Sequence, residues 1–225
     1  ATNRPDLSSA VGYIPEGVWN ESCDPTTDPD FCFGTGQFLL TASSGGPSSC
    51  SVSTVNDSQI TCVSGHPKPG WQAGIGVPDD GVRDLPDVAL AAAGHDGYLI
   101  CLEGSCQTTR EDGQTVLRNA TVISGTSAST PSMAAIMAML EQANGQFQGL
   151  ANYALYQLAA SENRTSCNSS KLTDPSKVSA CIFNDVTAGN TDVPGQAGYK
   201  SVRGYDMGTG LGSINAANLV SAWGS

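Results

Sequence analysis

The sequence is poor in charge. Asp, Glu, Lys and Arg make up 14% of its 225 residues, well under the usual quarter. Basic residues are the scarcer kind: ten Lys and Arg against 21 Asp and Glu leave a net charge of −11 and a pI near 4.3. That balance excludes a nucleic-acid binder and a binder of anionic membrane surfaces, both of which need a basic face. Long hydrophobic runs are missing as well. The longest, Met133 to Leu140, falls far short of the roughly 20 residues of a membrane span. Only two histidines occur and no C-x-x-C spacing, so the chain offers little to a zinc ion. It opens on Ala1 in a polar stretch, with no Met and no signal peptide, which leads to the expectation of a processed product.

What is present is a chain of 39% hydrophobic residues with 26 glycines, enough apolar material for a sizeable core in a loop-rich globular protein. Its eight cysteines fall as close neighbours: Cys23/Cys32, Cys50/Cys62, Cys101/Cys106 and Cys167/Cys181. Four local disulfides are expected, nearest-neighbour pairing being one of 105 connectivities. Each would close a short loop and contribute about 2–3 kcal/mol. Sequons recur at Asn20, Asn56, Asn119, Asn163 and Asn168. The expected location is secreted, extracellular.

Residues 1–80 are turn-rich, with loops and short strands such as Phe38 to Thr41. Asp87 to Ala93 is a continuous apolar run behind a proline, which predicts a buried strand of the parallel type. Tyr98 to Leu102 and Thr115 to Ile123 read as further strands. A helix is predicted from about Ser129 to Ala143, with Pro131 in its first turn and apolar residues nearly all round, hence buried. Two more are predicted at about Leu150 to Ala160 and Ala216 to Trp223. Strands alternating with buried helices indicate an α/β sheet protein.

The most informative stretch is Val122-Ile123-Ser124-Gly125-Thr126-Ser127-Ala128-Ser129-Thr130-Pro131. A β-branched strand ends, Gly125 allows a tight turn, and an apolar helix begins. Ser127 then sits at the positive end of the helix dipole among free N–H groups. Such a turn can expose a hydroxyl nucleophile and offer its own N–H to a developing oxyanion. The alternative is that Ser127 and Ser129 are simply N-caps. A base is not evident: His66 lies in Gly65-His66-Pro67 and His95 in Gly94-His95-Asp96-Gly97, both turn-like. A private Ser127/His95/Asp96 triad is disfavoured, because adjacent residues of one turn rarely converge on a third.

Ser124-Gly125-Thr126-Ser127-Ala128-Ser129 resembles the nucleophile motif of the sedolisins, serine-carboxyl peptidases with a subtilisin-like fold. Val18-Trp19-Asn20 is similar to the family's VWN segment, Ser43-Ser44-Gly45-Gly46 to its Gly-rich strand, and Pro69 with Trp71 to its PxW. Arg83 with Pro86-Asp87-Val88 resembles RxxPDV, Gly97-Tyr98 its GY, and Asn152 with Leu155-Tyr156-Gln157-Leu158 its NPxLYxL helix, Tyr153 replacing the proline. Phe183-Asn184-Asp185-Val186-Thr187-Ala188-Gly189-Asn190 and Gly204-Tyr205-Asp206-Met207-Gly208-Thr209-Gly210-Leu211-Gly212-Ser213 resemble its two calcium-loop motifs. The matches run in order along essentially the whole chain.

The resemblance implies an α/β, subtilisin-like parallel sheet with flanking helices, here loop-rich and disulfide-stapled. Residues 1–80 would supply loop-rich strands, 81–146 strands and the nucleophile helix, and 147–225 a helix and calcium loops of one domain. Calcium would be held by the Asp185 and Asp206 side chains and the backbone oxygens of Val186, Val202 and Gly204. Such a set meets the ion's demand for oxygen ligands. Val202 stands where the family has Gly, which a carbonyl ligand tolerates unless the backbone needs positive φ. Asx-turn capping is the competing account of the two aspartates.

By the same resemblance the reaction uses a serine nucleophile, here Ser127, a Glu base backed by an Asp, and a protonated Asp at the oxyanion. Those three carboxylates belong to family segments upstream of the VWN region and are not matched here. The expectation is a C-terminal portion of the catalytic domain, retained with an N-terminal fragment of the same precursor and acting on peptide substrates in acid. The weak charge near pH 4 agrees with that setting. Two alternatives stay open: a subtilisin-type Asp-His-Ser peptidase portion, and a non-catalytic extracellular binding module. The latter is motivated by Ala92-Ala93-Gly94-His95-Asp96-Gly97-Tyr98 in place of the family's ADPxTGY.

Overall fold

A computed structural model describes residues 14–32, 34, 36–56, 59–102, 106–163, 166–171 and 180–224. Among these residues the pairing is largely antiparallel and short. Strand β1 (Gly46–Pro47) pairs with β4 (Asp84–Leu85), β2 (Val52–Asn56) with β3 (Gln59–Ser64), and β5 (Tyr98–Cys101) with β8 (Ala120–Ile123). Strand β6 (Gln107–Thr109) pairs with β7 (Thr115–Leu117), and β9 (Phe183–Asn184) with β10 (Ser213–Ile214).

The expected parallel sheet is not formed among the described residues. Asp87 to Ala93 is not a strand; it makes one parallel bridge, Ala89 to Ser213. Its contacts are parallel in kind: Leu211 N–H donates to Asp87 O at 2.7 Å and Ala89 N–H to Gly212 O at 3.0 Å. The run stops there because the pairing is too short to make a ladder. Likewise Thr115 to Ile123 divides into β7 and β8, and Phe38 to Thr41 holds only a bridge at Leu39 to Cys23.

The helices follow their sequence signals closely. Helix α1 spans Thr126–Asn144 and ends at Gly145, whose left-handed φ of 68° lets its N–H close on Glu141 O. It starts three residues earlier than expected, so Pro131 lies beyond the first turn and withholds the N–H that would bond the Ser127 carbonyl. Helices α2 (Asn152–Ser161) and α3 (Ala216–Ala222) match within two residues, and Asn215 caps α3 by accepting from Asn218 N–H.

The core gathers Ile136 and Leu140 of α1, Leu155, Tyr156 and Ala159 of α2, Leu219 of α3, and Phe183, Tyr205, Met207, Leu211 and Trp223. Helix α1 is only half covered, contrary to its expected burial. Ala134, Ala135, Ala138 and Met139 are exposed, Met139 at 44%. Its all-round apolar composition therefore serves two faces, one of which meets solvent in this chain.

All four expected disulfides are formed: Cys23–Cys32, Cys50–Cys62, Cys101–Cys106 and Cys167–Cys181. Two sequon asparagines are committed to the fold. Asn20 Nδ2 donates to Asn190 O and Asp192 O, and Asn168 Nδ2 to Thr187 Oγ1.

Candidate active site

Strand β8 delivers Ile123 to the turn, and Gly125 makes it possible. Its φ of 75° with ψ of −179° belongs to a region that is essentially closed to residues bearing a Cβ. The turn is pinned from outside: Gly125 N–H donates to Ala92 O at 2.8 Å and Ser129 Oγ to Ala91 O at 3.1 Å. Ser129, Thr130 and Ser132 hydroxyls all bond backward to helix carbonyls.

Ser127 differs from them. It is the second residue of α1, its side chain is exposed, and its hydroxyl has no partner among the described residues. The carbonyl of Gly125 is shared by Ala128 and Ser129 N–H groups, and no side chain caps the helix. The Ser127 N–H is thus one of the orphan donors of a helix start. N-capping is therefore not what Ser127 does here. An unengaged hydroxyl beside unengaged N–H groups at the positive helix end can attack a carbonyl and receive its oxyanion.

Facing this turn is residue 93–97, a short loop running from Ala92 to β5. His95 does not turn toward Ser127 as a triad base. Its Nδ1 lies 2.5 Å from Glu21 Oε1 and its Nε2 3.0 Å from Asp96 Oδ2. Glu21 also accepts from Trp19 Nε1 at 2.8 Å, Gly94 N–H at 2.9 Å and His95 N–H at 3.0 Å. Burial alone would raise the Glu21 carboxyl. The donations from Gly94, the His95 ring, Trp19 and the His95 amide outweigh it and hold the group at about 2. The Glu21 hydrogen bond, then the Asp96 charge, raise the His95 imidazole. Glu21 directly follows the Val18-Trp19-Asn20 motif and carries no sequence signal of its own.

Of the residues in the calcium-loop motifs, the two aspartates converge on one backbone segment. Asp185 and Asp206 are both buried, and both reach the 202–204 segment. Gly204 N–H donates to Asp185 Oδ1 at 3.0 Å and Val202 N–H to Asp206 Oδ2 at 3.1 Å. Asp206 Oδ1 is taken up as an Asx turn by Gly208 N–H and Thr209 N–H, each at 2.8 Å, with Thr209 Oγ1 at 3.1 Å. Burial raises the Asp206 carboxyl, and these hydrogen bonds oppose it only in part. The carbonyls of Val186, Val202 and Gly204 accept no hydrogen bond among the described residues. Val202 is not among the positive-φ residues, so its replacement of glycine is accommodated. Gly204 has φ +86°, and a Cβ there would meet Ile75 O at 2.4 Å.

Two carboxylates and three unspent carbonyls suit a hard cation. Two buried side-chain oxygens without partners, Asn184 Oδ1 and Ser201 Oγ, belong to the residues just before Asp185 and Val202. The residues present fit the ion. A second cluster, Glu162 with Cys167 and Cys181, does not: the two sulfurs are bonded to each other and the carboxylate accepts from Ile182 and Phe183 N–H groups.

No family model matches the sequence. Kumamolisin from Bacillus sp. (strain MN-32) is 32% identical over 163 residues, 69% of this chain and 23% of that protein. Sedolisin from Pseudomonas sp. (strain 101) is 30% identical over 213 residues, 94% of this chain and 26% of that protein. The chain belongs to the sedolisin family. Its fold is like that of Pseudomonas sedolisin, a serine-carboxyl proteinase solved in complex with two molecules of pseudo-iodotyrostatin. The TM-score is 0.55 at 26% identity, over 98% of this chain and 43% of that one. The chain spans about a quarter of the length of the two curated sedolisin relatives.

Proposed function

We propose that the chain supplies the nucleophile and the calcium loops of a secreted, acid-acting serine-carboxyl peptidase of the sedolisin family. The observation that carries this is Ser127: exposed and unengaged at the second position of α1, behind a turn only glycine can make. In the reaction the Ser127 Oγ–H gives its proton to a Glu base, and the oxygen forms a bond to the peptide carbonyl carbon. The Ser127 N–H and a protonated Asp hold the oxyanion. The same Glu then returns the proton to the leaving amine, and water later releases the acyl group from Ser127. The Glu, its supporting Asp and the oxyanion Asp come from an upstream segment or companion chain.

A carboxyl base beside a neutral carboxylic acid requires acid conditions, near ordinary carboxyl values of about 4. The exposed face of α1, with Ala134, Ala135, Ala138 and Met139, supports a companion packed against it. That companion would be an N-terminal fragment of the same precursor. Asp185 and Asp206, with the carbonyls of Val186, Val202 and Gly204, would hold calcium and so fix the loops beneath the core residue Tyr205. The four disulfides support an extracellular location.

The test is casein digestion at about pH 4 by the native material against Ser127→Ala. Loss of turnover with casein still bound is the expected result. Undiminished digestion by the variant would refute the nucleophile assignment, and binding without turnover by both would identify a peptidase-like binding module.

A further inference from the structure

The 93–97 loop is a part of the chain that departs from the family pattern, and it lies against the nucleophile turn. One end is fixed where Ala92 O takes the Gly125 N–H; the other is fixed where Tyr98 pairs with Ile123. The loop therefore crosses the three residues 123–125, and Ser127 follows two positions later. The loop thus borders the turn that carries the Ser127 hydroxyl.

What fixes the middle of the loop is a residue remote in sequence. Glu21, with its side chain only 16% exposed, places both carboxylate oxygens on the loop: Oε2 on Gly94 N–H, Oε1 on His95 N–H and on the imidazole Nδ1. Trp19 Nε1 braces the same carboxylate from its own segment. Asp96 takes the other ring nitrogen. Both nitrogens of His95 thus meet carboxylate oxygens, an arrangement that suits the doubly protonated ring. The imidazole is 68% exposed, so it lines the surface rather than filling a core. The charged and titratable groups facing it are Glu21 and Asp96.

We propose that Glu21 is a positioning residue for the Ser127 site, gripping the 93–97 loop through its amides and the His95 imidazole so that the loop forms a fixed wall of the peptide cleft. The inference rests on the reading of Ser127 as the nucleophile. The grip is pH-dependent, and its sign follows from the two groups. His95, raised above its ordinary value, holds fully below about 6.5 and lets go as the pH climbs through its raised midpoint. Glu21, lowered from 4.5 to about 2, holds above 4.5 and lets go as the pH falls toward 2. The grip is therefore complete between about pH 4.5 and 6.5 and only partly relaxed at about pH 4, where the peptidase would act.

The test uses the native enzyme containing this chain, with Glu21→Gln and His95→Asn. Glu21→Gln loses a charge-assisted acceptor and is expected to raise KM about tenfold with a smaller effect on kcat. His95→Asn keeps an N–H toward Glu21 but cannot titrate, so it should remove the rise in KM that sets in above about pH 6.5. It also identifies the His95 signal in a histidine NMR titration. That signal should show a midpoint above the ordinary imidazole value in the wild type and move down toward it in Glu21→Gln. Unchanged KM and an unmoved His95 midpoint in Glu21→Gln would overturn the inference, even if the variant melts at a lower temperature. Full activity of Ser127→Ala is a separate failure, that of the nucleophile reading itself.

Discussion

Gln72 offers a direct measure of how the segment behind the site is held. Its side chain is 2% exposed and bridges three groups: Nε2 donates to Asp84 O at 2.8 Å and to Tyr156 OH at 3.1 Å, while Oε1 accepts from Asp84 N–H at 3.0 Å. Asp84 is fully buried. In Gln72→Leu, of similar volume, these groups fare differently. The Asp84 carbonyl keeps its bond from Arg83 Nη1, and Tyr156 keeps its own donation to Asp87 Oδ1 at 2.9 Å. The Asp84 N–H loses its partner and stays buried. One orphaned donor costs about 1–3 kcal/mol, a half-satisfied acceptor and hydroxyl add about 1–2, and the apolar replacement returns about 1.

The terms sum to a loss of about 1–4 kcal/mol, centred at about 2.5, or roughly 5–10 °C in Tm at that centre. Thermal and urea unfolding of the native enzyme would read it, with the exposed Gln142→Leu on α1 as the control. A loss no larger than that of Gln142→Leu, within about 0.5 kcal/mol, would refute the reasoning. It would mean that Asp84 finds another partner and that the Gln72 bridge is dispensable.

Calcium removal should lower Tm: an ion present at 100 times its Kd stabilises by about 2.7 kcal/mol, so chelation followed by differential scanning calorimetry should show a shift that added calcium reverses. No shift would count against the Asp185–Asp206 site. Gly204→Ala should destabilise by at least about 2 kcal/mol, because its φ is +86° and the new Cβ meets Ile75 O at 2.4 Å. It should also blunt the response to chelator, whereas a variant that melts like the wild type would show that this loop adopts another backbone.

What the sequence revealed and what it hid divide by the range of the interactions. The helices and disulfides were legible because their causes are local. The apolar spacing of α2, the glycine after α1 and cysteine pairs 5 to 14 residues apart all act within one stretch of chain. Asp206 was half legible for the same reason. Its Oδ1 is satisfied by residues two and three positions on, as an Asx turn requires, but its Oδ2 turns to Val202, and only the fold brings Asp185 to Gly204 across 19 positions.

The run Asp87 to Ala93 was misread as a strand because its composition fits one, whereas a strand exists only with a partner. Here the partner is 211–213, and the pairing is a single bridge long. Glu21 was not legible in the sequence: the loop partners that give it a role lie 73 and 74 residues away, and nothing in its neighbourhood marks one acidic residue among 21. Yet its four donors come from Trp19, Gly94 and His95, and the last is one of only two histidines in the chain. A rare residue in the loop that departs from the family pattern was the signal available. In this fold that imidazole is held by a carboxylate and does not serve a serine.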